Sequence, residues 1–212
     1  MENIYKLIRS PKCDDVYIQY LTGHFATRNS HLNTYMDHTA IKTQYVNARA
    51  TGYLLADLYK HDTAIDAIVC LKKTEVIASF MAESFSTSPD SFSKGKNIAI
   101  ITPEFDTQGL MFFRENRLPF LSYKKVLVLI DSMNSGIMTG QAVESIRYYT
   151  GIPCGVCGVF AAVDQVAGFE VRSLFGTQDF PNYLAYQSQE CELCKSGDKV
   201  MGIINSYGFA RL

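Results

Sequence analysis

The sequence predicts an α/β fold with a mostly parallel central sheet flanked by helices, entered through an N-terminal segment. Three observations carry this. The apolar runs "AIDAIVCL" (64–71), "KNIAIITP" (96–103), "KKVLVLID" (124–131) and "PCGVCGVFAAV" (153–163) are continuous, as in strands covered on both faces. Stretches with helical apolar spacing separate them. The chain has 212 residues, 47% hydrophobic and 19% charged, enough for one substantial α/β domain and short for two.

Taken in order, "AIKTQYVNARATGYLLADLYK" (40–60) reads as a helix, 64–71 as the first strand, and "EVIASFMAESF" (75–85) as a second helix. The second strand is 96–103 and the third 124–131. "GQAVESIRYYTG" (140–151) is a helix with Gly151 at its stop. Residues 153–163 form the fourth strand and "EVRSLF" (170–175) a short fifth. Alternating strands and helices imply βαβ units. The expected organisation is a single domain over 1–212: an N-terminal hood at 1–40, an α/β core at 41–180 and a tail at 181–212.

A formal net charge of −1 gives no electrostatic case for a nucleic-acid partner. No apolar run approaches the roughly 18 residues needed to span a bilayer. The N-terminal "MENIYKLIRSPKCDD" lacks the apolar core of a signal peptide. A cytoplasmic location is the expectation, and six cysteines in a reducing compartment are not read as disulfides.

Ligands of parallel α/β sheets bind beyond the carboxyl ends of the strands. After the third strand come Asp131, Ser132, Met133, Asn134, Ser135 and Gly136. Small residues entering a helix aim several backbone N–H groups at one anion. An acid at the strand end holds sugar hydroxyls, directly or through a metal. A plain strand-to-helix turn is the alternative. After the first strand, Lys72, Lys73, Thr74 and Glu75 offer either cations for a phosphate or a solvated turn with Glu75 at a helix N-terminus.

The loop "IDSMNSGI" resembles the ribose-phosphate loop of the type I phosphoribosyltransferases: two acids, two apolar residues, two Thr/Ser, then glycines. Ile130 takes the first acid's place, Asp131 the second's, and Ile137 that of the second glycine. "GHFATRNSHLNTYMD" (23–37) is similar to the base-binding segment of orotate phosphoribosyltransferase, with Phe25, Arg28 and Tyr35 matching and Asn29 and Ser30 replacing Ser-Gly. "CELCKSGDKV" resembles the Cys-Pro-Leu-Cys tail of some bacterial orotate enzymes. The resemblance runs from about residue 20 to 200. It implies an enzyme that transfers phosphoribosyl from 5-phosphoribosyl-1-diphosphate (PRPP), with Mg²⁺, to a nitrogenous base, and a homodimer. By that resemblance Asp131, Ser132, Asn134, Ser135, Gly136, Lys72, Lys73 and Thr74 meet PRPP. Phe25, Arg28, Asn29, Tyr35 and Gln165 meet the base.

The departures cluster where the chemistry belongs. The glycine-rich pyrophosphate loop of the family is replaced by Lys72 to Glu75. Its basic mobile loop reads Thr102, Pro103, Glu104, Phe105, Asp106, Thr107, Gln108, with Asp106 where a catalytic lysine stands. A carboxylate there opposes stabilisation of a departing diphosphate. Arg114 and Arg117 lie further along, and Gln165 replaces an orotate-contacting arginine. Hence a second reading stands beside the enzyme: a non-catalytic PRPP- or nucleotide-binding regulator. A third is an interaction or redox protein organised by its cysteines.

Two C-x2-C pairs, Cys154/Cys157 and Cys191/Cys194, have the pattern of a four-thiolate zinc site. Cys154 and Cys157 lie on a strand, three apart, and so face opposite sides. A buried thiol role for that pair and a turn, redox pair or partial metal site for the other are the alternatives. His24, His31 and His38 recur every seven residues. On one extended segment they would not share a face, and they are expected at the surface or pocket rim.

Overall fold

The computed structural model describes residues 5–28, 30–205 and 207–212. Lys6–Ser10 (β1), Cys13–Ala26 (β2) and Ser30–Asp37 (β3) form an antiparallel meander. Alternation along β2 sends Val16, Ile18 and Tyr20 into the main core. Leu21 and Phe25, on the opposite face, pack with Tyr35. The helix expected over 40–60 is two, Thr39–Thr43 (α1) and Tyr45–Asp57 (α2), because Gln44 is extended between them at φ −94°, ψ 128°.

Ala67–Cys70 (β4) is followed by Glu75–Thr87 (α3) and Ala99–Ile101 (β5). Glu104–Phe105 (β6) and Met111–Phe112 (β7) make a small hairpin. Lys125–Met133 (β8), Ile137–Tyr148 (α4) and Ile152–Ala161 (β9) follow. Then come Gln165–Val166 (β10), Phe169–Gly176 (β11), Ala185–Gln187 (β12), Glu192–Lys195 (α5), Gly202–Asn205 (β13) and Gly208–Arg211 (β14).

The central sheet has the order β10-β11-β9-β8-β4-β5 and is parallel from β11 to β5. The middle strands β4 and β8 are apolar on both faces, as their continuous runs require, whereas β11 at the sheet's side carries Glu170, Arg172 and Ser173. Ile68, Cys70, Leu127 and Leu129 point to one core with Leu55 of α2 and Ile77, Met81 and Phe85 of α3. Ala67, Val69, Val126, Val128 and Ile130 point to the other with Ala142, Val143 and Ile146 of α4. Each large side chain so buried contributes about 1.5–3 kcal/mol.

The second sheet has the order β12-β3-β2-β13-β14, with β1 also on β2. Residues 1–40 and 181–212, without strands in the sequence reading, meet in it: β12 pairs with β3, and β13 runs parallel to β2 at Gly202 and Phe25. Hood and tail are therefore one structure. Among the described residues, no helix is long and apolar enough to cross a membrane.

Candidate functional site

A cavity of about 600 Å³ opens beyond the carboxyl ends of β4 and β8, roofed by β3 and the β13–β14 hairpin. Its floor is the stretch Ile130–Thr139. Gly136 has φ +74°, and a Cβ there would come within 2.7 Å of Val166 Cγ2, so the turn admits glycine alone. Gly136 also caps α4, with no side-chain cap and no acid in the first turn. The first N–H groups of a twelve-residue helix therefore lack side-chain acceptors and stand at the cavity, the arrangement that receives a phosphate.

Two buried polar atoms in the cavity wall have no hydrogen-bond partner among the described residues, Thr139 Oγ1 and His38 Nε2. Leaving such an atom unsatisfied costs about 1–3 kcal/mol. A polar ligand in the cavity would remove that cost.

Asp131 is buried at the floor. Lys42 of α1 donates to its Oδ2 at 2.8 Å, and Lys72 Nζ lies 3.8 Å from Oδ1. The Ser132 backbone N–H donates to Oδ1 at 2.5 Å. Burial alone would raise the carboxyl's pKa, but Lys72, His38 and Lys42 outweigh it and hold it at about 2. Burial pushes His38 down to about 4, against the pull of Asp131, so its imidazole is neutral. This donor set does not fit a protein-held Mg²⁺: two ammonium groups already neutralise the carboxylate, and Ile130 stands where a second acid would.

Lys72 and Lys73 both adopt left-handed backbone, φ 51° and 63°. Left-handed backbone at two successive non-glycine residues costs about 1–3 kcal/mol each and is held by the surrounding structure. Lys72 also donates to the Ser132 carbonyl at 3.0 Å, tying the two loops together. Lys73 Nζ sits 3.4 Å from the centroid of the Tyr207 ring. Glu75 opens α3 at the cavity edge and accepts from Thr102 Oγ1 at 3.0 Å.

The cavity brings together Asp131, Ser132, Asn134, Ser135, Gly136, Lys72, Lys73, Arg28 and Tyr35. Asn134 is oriented by Tyr183, whose hydroxyl donates to its Oδ1 at 2.9 Å. Thr74 stands apart: it is buried, and its hydroxyl is engaged by the carbonyls of Leu71 and Leu129. Phe25 is wholly buried between Tyr35 and Phe209, a core residue behind the wall. Gln165 is exposed on β10 and outside the cavity wall, because its strand lies behind the Gly136 turn with Val166 facing in. Asn29 lies outside the described residues. Sequence reasoning missed Lys42, Tyr183, Asn205 and Tyr207, which come from segments whose placement depends on long-range pairing.

Asp106 is a turn residue of the β6–β7 hairpin. Its Oδ1 accepts from the N–H groups of Gln108 and Leu110 at 2.9 and 2.7 Å. Arg114 forms a two-point ion pair with Glu104, at 2.8 and 2.7 Å. The hairpin tip approaches the hood, since a side chain at Gly109 would reach within 3.0 Å of the Arg28 guanidinium.

The four-cysteine arrangement is overturned. Cys157 is buried and Cys154 packs at the edge of the same core; burial pushes both thiols up, Cys154 to about 12. Cys191 and Cys194 instead lie beside His24 and His31, all four ligand atoms falling within 4.8 Å of one another. The expectation for the histidines fails because the chain reverses at Thr27–Ser30, where Thr27 N–H donates to the Ser30 carbonyl. His24 thereby lies two residues along β2 from Ala26, the register partner of His31, and the two rings share a face. His38, expected at the surface or rim, is buried in the cavity wall.

No protein-family model and no curated protein matches the chain. Solved structures do. A phosphoribosyltransferase from Corynebacterium diphtheriae superposes over 69% of this chain and 84% of its own, at 21% identity and a TM-score of 0.51. The orotate phosphoribosyltransferase of Mycobacterium tuberculosis, in complex with PRPP, covers 69% and 82% at 17% identity and a TM-score of 0.50. The adenine phosphoribosyl transferase of Trypanosoma brucei, in complex with AMP, pyrophosphate and ribose-5-phosphate, covers 76% and 74% at 11% identity and a TM-score of 0.51. At these identities the likeness is one of fold.

Proposed function

We propose, from the premise that this chain has the type I phosphoribosyltransferase fold, that it transfers phosphoribosyl from PRPP to a nitrogenous base with release of pyrophosphate. One observation carries the reading. One cavity is lined both by the N-terminal turn of α4 and by the apolar and aromatic side chains of Leu32, Tyr35, Ile204 and Tyr207, with Asp131 in the same wall. A phosphorylated sugar with a flat base has that distribution of charge and apolar surface.

In this reading the N–H groups after Gly136, with Ser135, hold the 5-phosphate. Asp131 accepts from ribose hydroxyls through lone pairs that its lysines leave available. Lys72 and Lys73 face the diphosphate as point charges. The base gives its ring N–H proton to solvent, and the nitrogen's electron pair bonds C1 of the ribose while the C1–O bond to diphosphate breaks, that pair leaving with pyrophosphate. The two lysines oppose the charge that grows there. Mg²⁺ enters only as the counter-ion of the substrate PRPP, and a homodimer is part of the proposal.

The β6–β7 hairpin favours a second reading, a PRPP or nucleotide sensor without turnover. Its acid and its arginine are engaged within the hairpin, which leaves neither for a leaving group. Calorimetric titration of PRPP, with and without Mg²⁺, beside a pyrophosphate-release screen across purine and pyrimidine bases, separates the two. Binding with release supports the transferase. Binding with no release for any base supports the sensor, and absence of PRPP and nucleotide binding sinks both.

A further inference from the structure

The cluster of His24, His31, Cys191 and Cys194 lies outside the cavity and takes no part in the proposed reaction. We propose that it is a structural Cys₂His₂ zinc site that fastens the C-terminal tail to the β2–β3 hairpin.

The distances approach those of a ligand shell. A tetrahedral Zn²⁺ with bonds of about 2.0–2.1 Å to nitrogen and 2.3 Å to sulfur sets ligand atoms roughly 3.3–3.8 Å apart. Here Cys191 Sγ is 3.5 Å and Cys194 Sγ 3.7 Å from His24 Nε2. Cys194 Sγ is 3.3 Å from His31 Nδ1. The two imidazole nitrogens, 2.9 Å apart, need to part by a few tenths of an ångström to admit the ion.

The surroundings fix the donors. His24 Nδ1 lies 2.8 Å from the Asp198 carbonyl. That oxygen takes the ring proton on Nδ1 and leaves the Nε2 lone pair for a metal, the usual outer support of a ligating histidine. The cysteines have the C-x2-C spacing of zinc sites on a short helical turn, and Gly197, at φ +84°, reverses the chain after them. Two thiolates neutralise the dication, so the centre can sit partly buried without a net charge. Soft thiolate with imidazole in a closed set of four selects zinc, and it supplies no open position for catalysis.

The site's purpose follows from where it lies. Met201 N–H donates to the His24 carbonyl at 2.7 Å, and β13 then runs along β2. The tail beyond it delivers Ile204, Asn205, Tyr207 and Gly208 to the cavity roof. Without the metal, that roof is held by a short parallel pairing, one terminal hairpin and the packing of Met201, Ile204 and Phe209 on Phe25 and Tyr35.

The test is metal analysis of the untagged, reduced full chain expressed with added zinc, followed by cobalt replacement. One zinc per chain is expected, and Co²⁺ should give the strong visible bands of a tetrahedral site with a sulfur-to-cobalt charge-transfer band. Cys194→Ser and His31→Asn, both at accessible positions, should lose the metal while keeping the far-ultraviolet dichroism of the parent. Cys154→Ser should keep it. Zinc well below one equivalent with no cobalt bands would overturn the proposal. So would a Cys191–Cys194 disulfide in protein purified under reductant, or metal retained by both ligand variants.

Discussion

Lys42 Nζ lies 2.8 Å from Asp131 Oδ2, joining helix α1 to the end of β8 through a buried ion pair. The acid at the end of β8 is thus neutralised by the protein's own lysines. Removing one partner of a buried pair is costly because the other charge stays desolvated. Asp131 is more enclosed than either lysine. Lys42→Met should therefore destabilise by about 2–3 kcal/mol, with Lys72 still present, and Asp131→Asn by less, since both lysines can turn to water. Urea unfolding of the two variants checks the order. The reverse order would mean that Lys42 is not the main counter-charge.

Stability should fall on acidification from pH 6.5. His38 has a folded pKa of about 4 against 6.5 for the free side chain, so between these values the unfolded chain takes up a proton that the folded chain refuses. A depressed pKa gives stability that is complete above 6.5 and is lost as pH falls towards 4, by up to about 3 kcal/mol. Asp131 adds a second loss below pH 3.8. Unfolding free energies measured at half-unit steps should show the slope, and His38→Asn should flatten it between pH 6.5 and 4. An unchanged slope in that variant would assign the effect to other groups.

The proposed phosphate cradle depends on the backbone at Gly136. A side chain there meets both the left-handed φ and Val166 Cγ2 at 2.7 Å. Gly136→Ala should cost about 1–3 kcal/mol and abolish binding of ribose 5-phosphate, measured by thermal shift and calorimetry. Full affinity in the variant would remove the loop from the phosphate site.

How much of this was legible in the sequence depends on the range of the interactions. The runs at 64–71 and 124–131 announced β4 and β8 because both faces of those strands are buried, and small residues after Asp131 announced the turn. Local chemistry carries such signals. The second sheet did not show, since β12 and β13 owe their pairing to β3 and β2 more than 150 residues away, and β14 joins only through β13. The pairing of His24 with His31 depended on one turn at Thr27–Ser30, and that of both with Cys191 and Cys194 on the tail's return. Thr74 and Phe25 have the right place in the motif but the wrong side-chain direction, which only the packed structure reveals.

The β6–β7 turn rests on Asp106. Asp106→Ala removes the acceptor of two backbone N–H groups, while Asp106→Asn keeps an oxygen in place. Hydrogen exchange at Gln108 and Leu110 should quicken in the alanine variant and stay near the parent rate in the asparagine one, with no change in global unfolding. If the transferase reading holds, loosening the hairpin alters the pyrophosphate-release rate; if the sensor reading holds, PRPP affinity is unmoved. Equal exchange in both variants would show that the turn does not depend on this side chain.

Thr139 gives the sharpest separation of folding from binding. Its hydroxyl is fully buried in the first turn of α4, and Oγ1 has no partner among the described residues. A valine fills the same volume and removes the unsatisfied group, so Thr139→Val should leave the free protein as stable or about 1 kcal/mol more so. A phosphate seated at the helix N-terminus would use that hydroxyl, and its loss should weaken binding of ribose 5-phosphate about 5- to 10-fold, the cost of one hydrogen bond. Stability and affinity then move in opposite directions, which a mere packing role does not produce. Destabilisation with unchanged affinity would show that the hydroxyl serves the fold, and the phosphate site would rest on the backbone N–H groups alone.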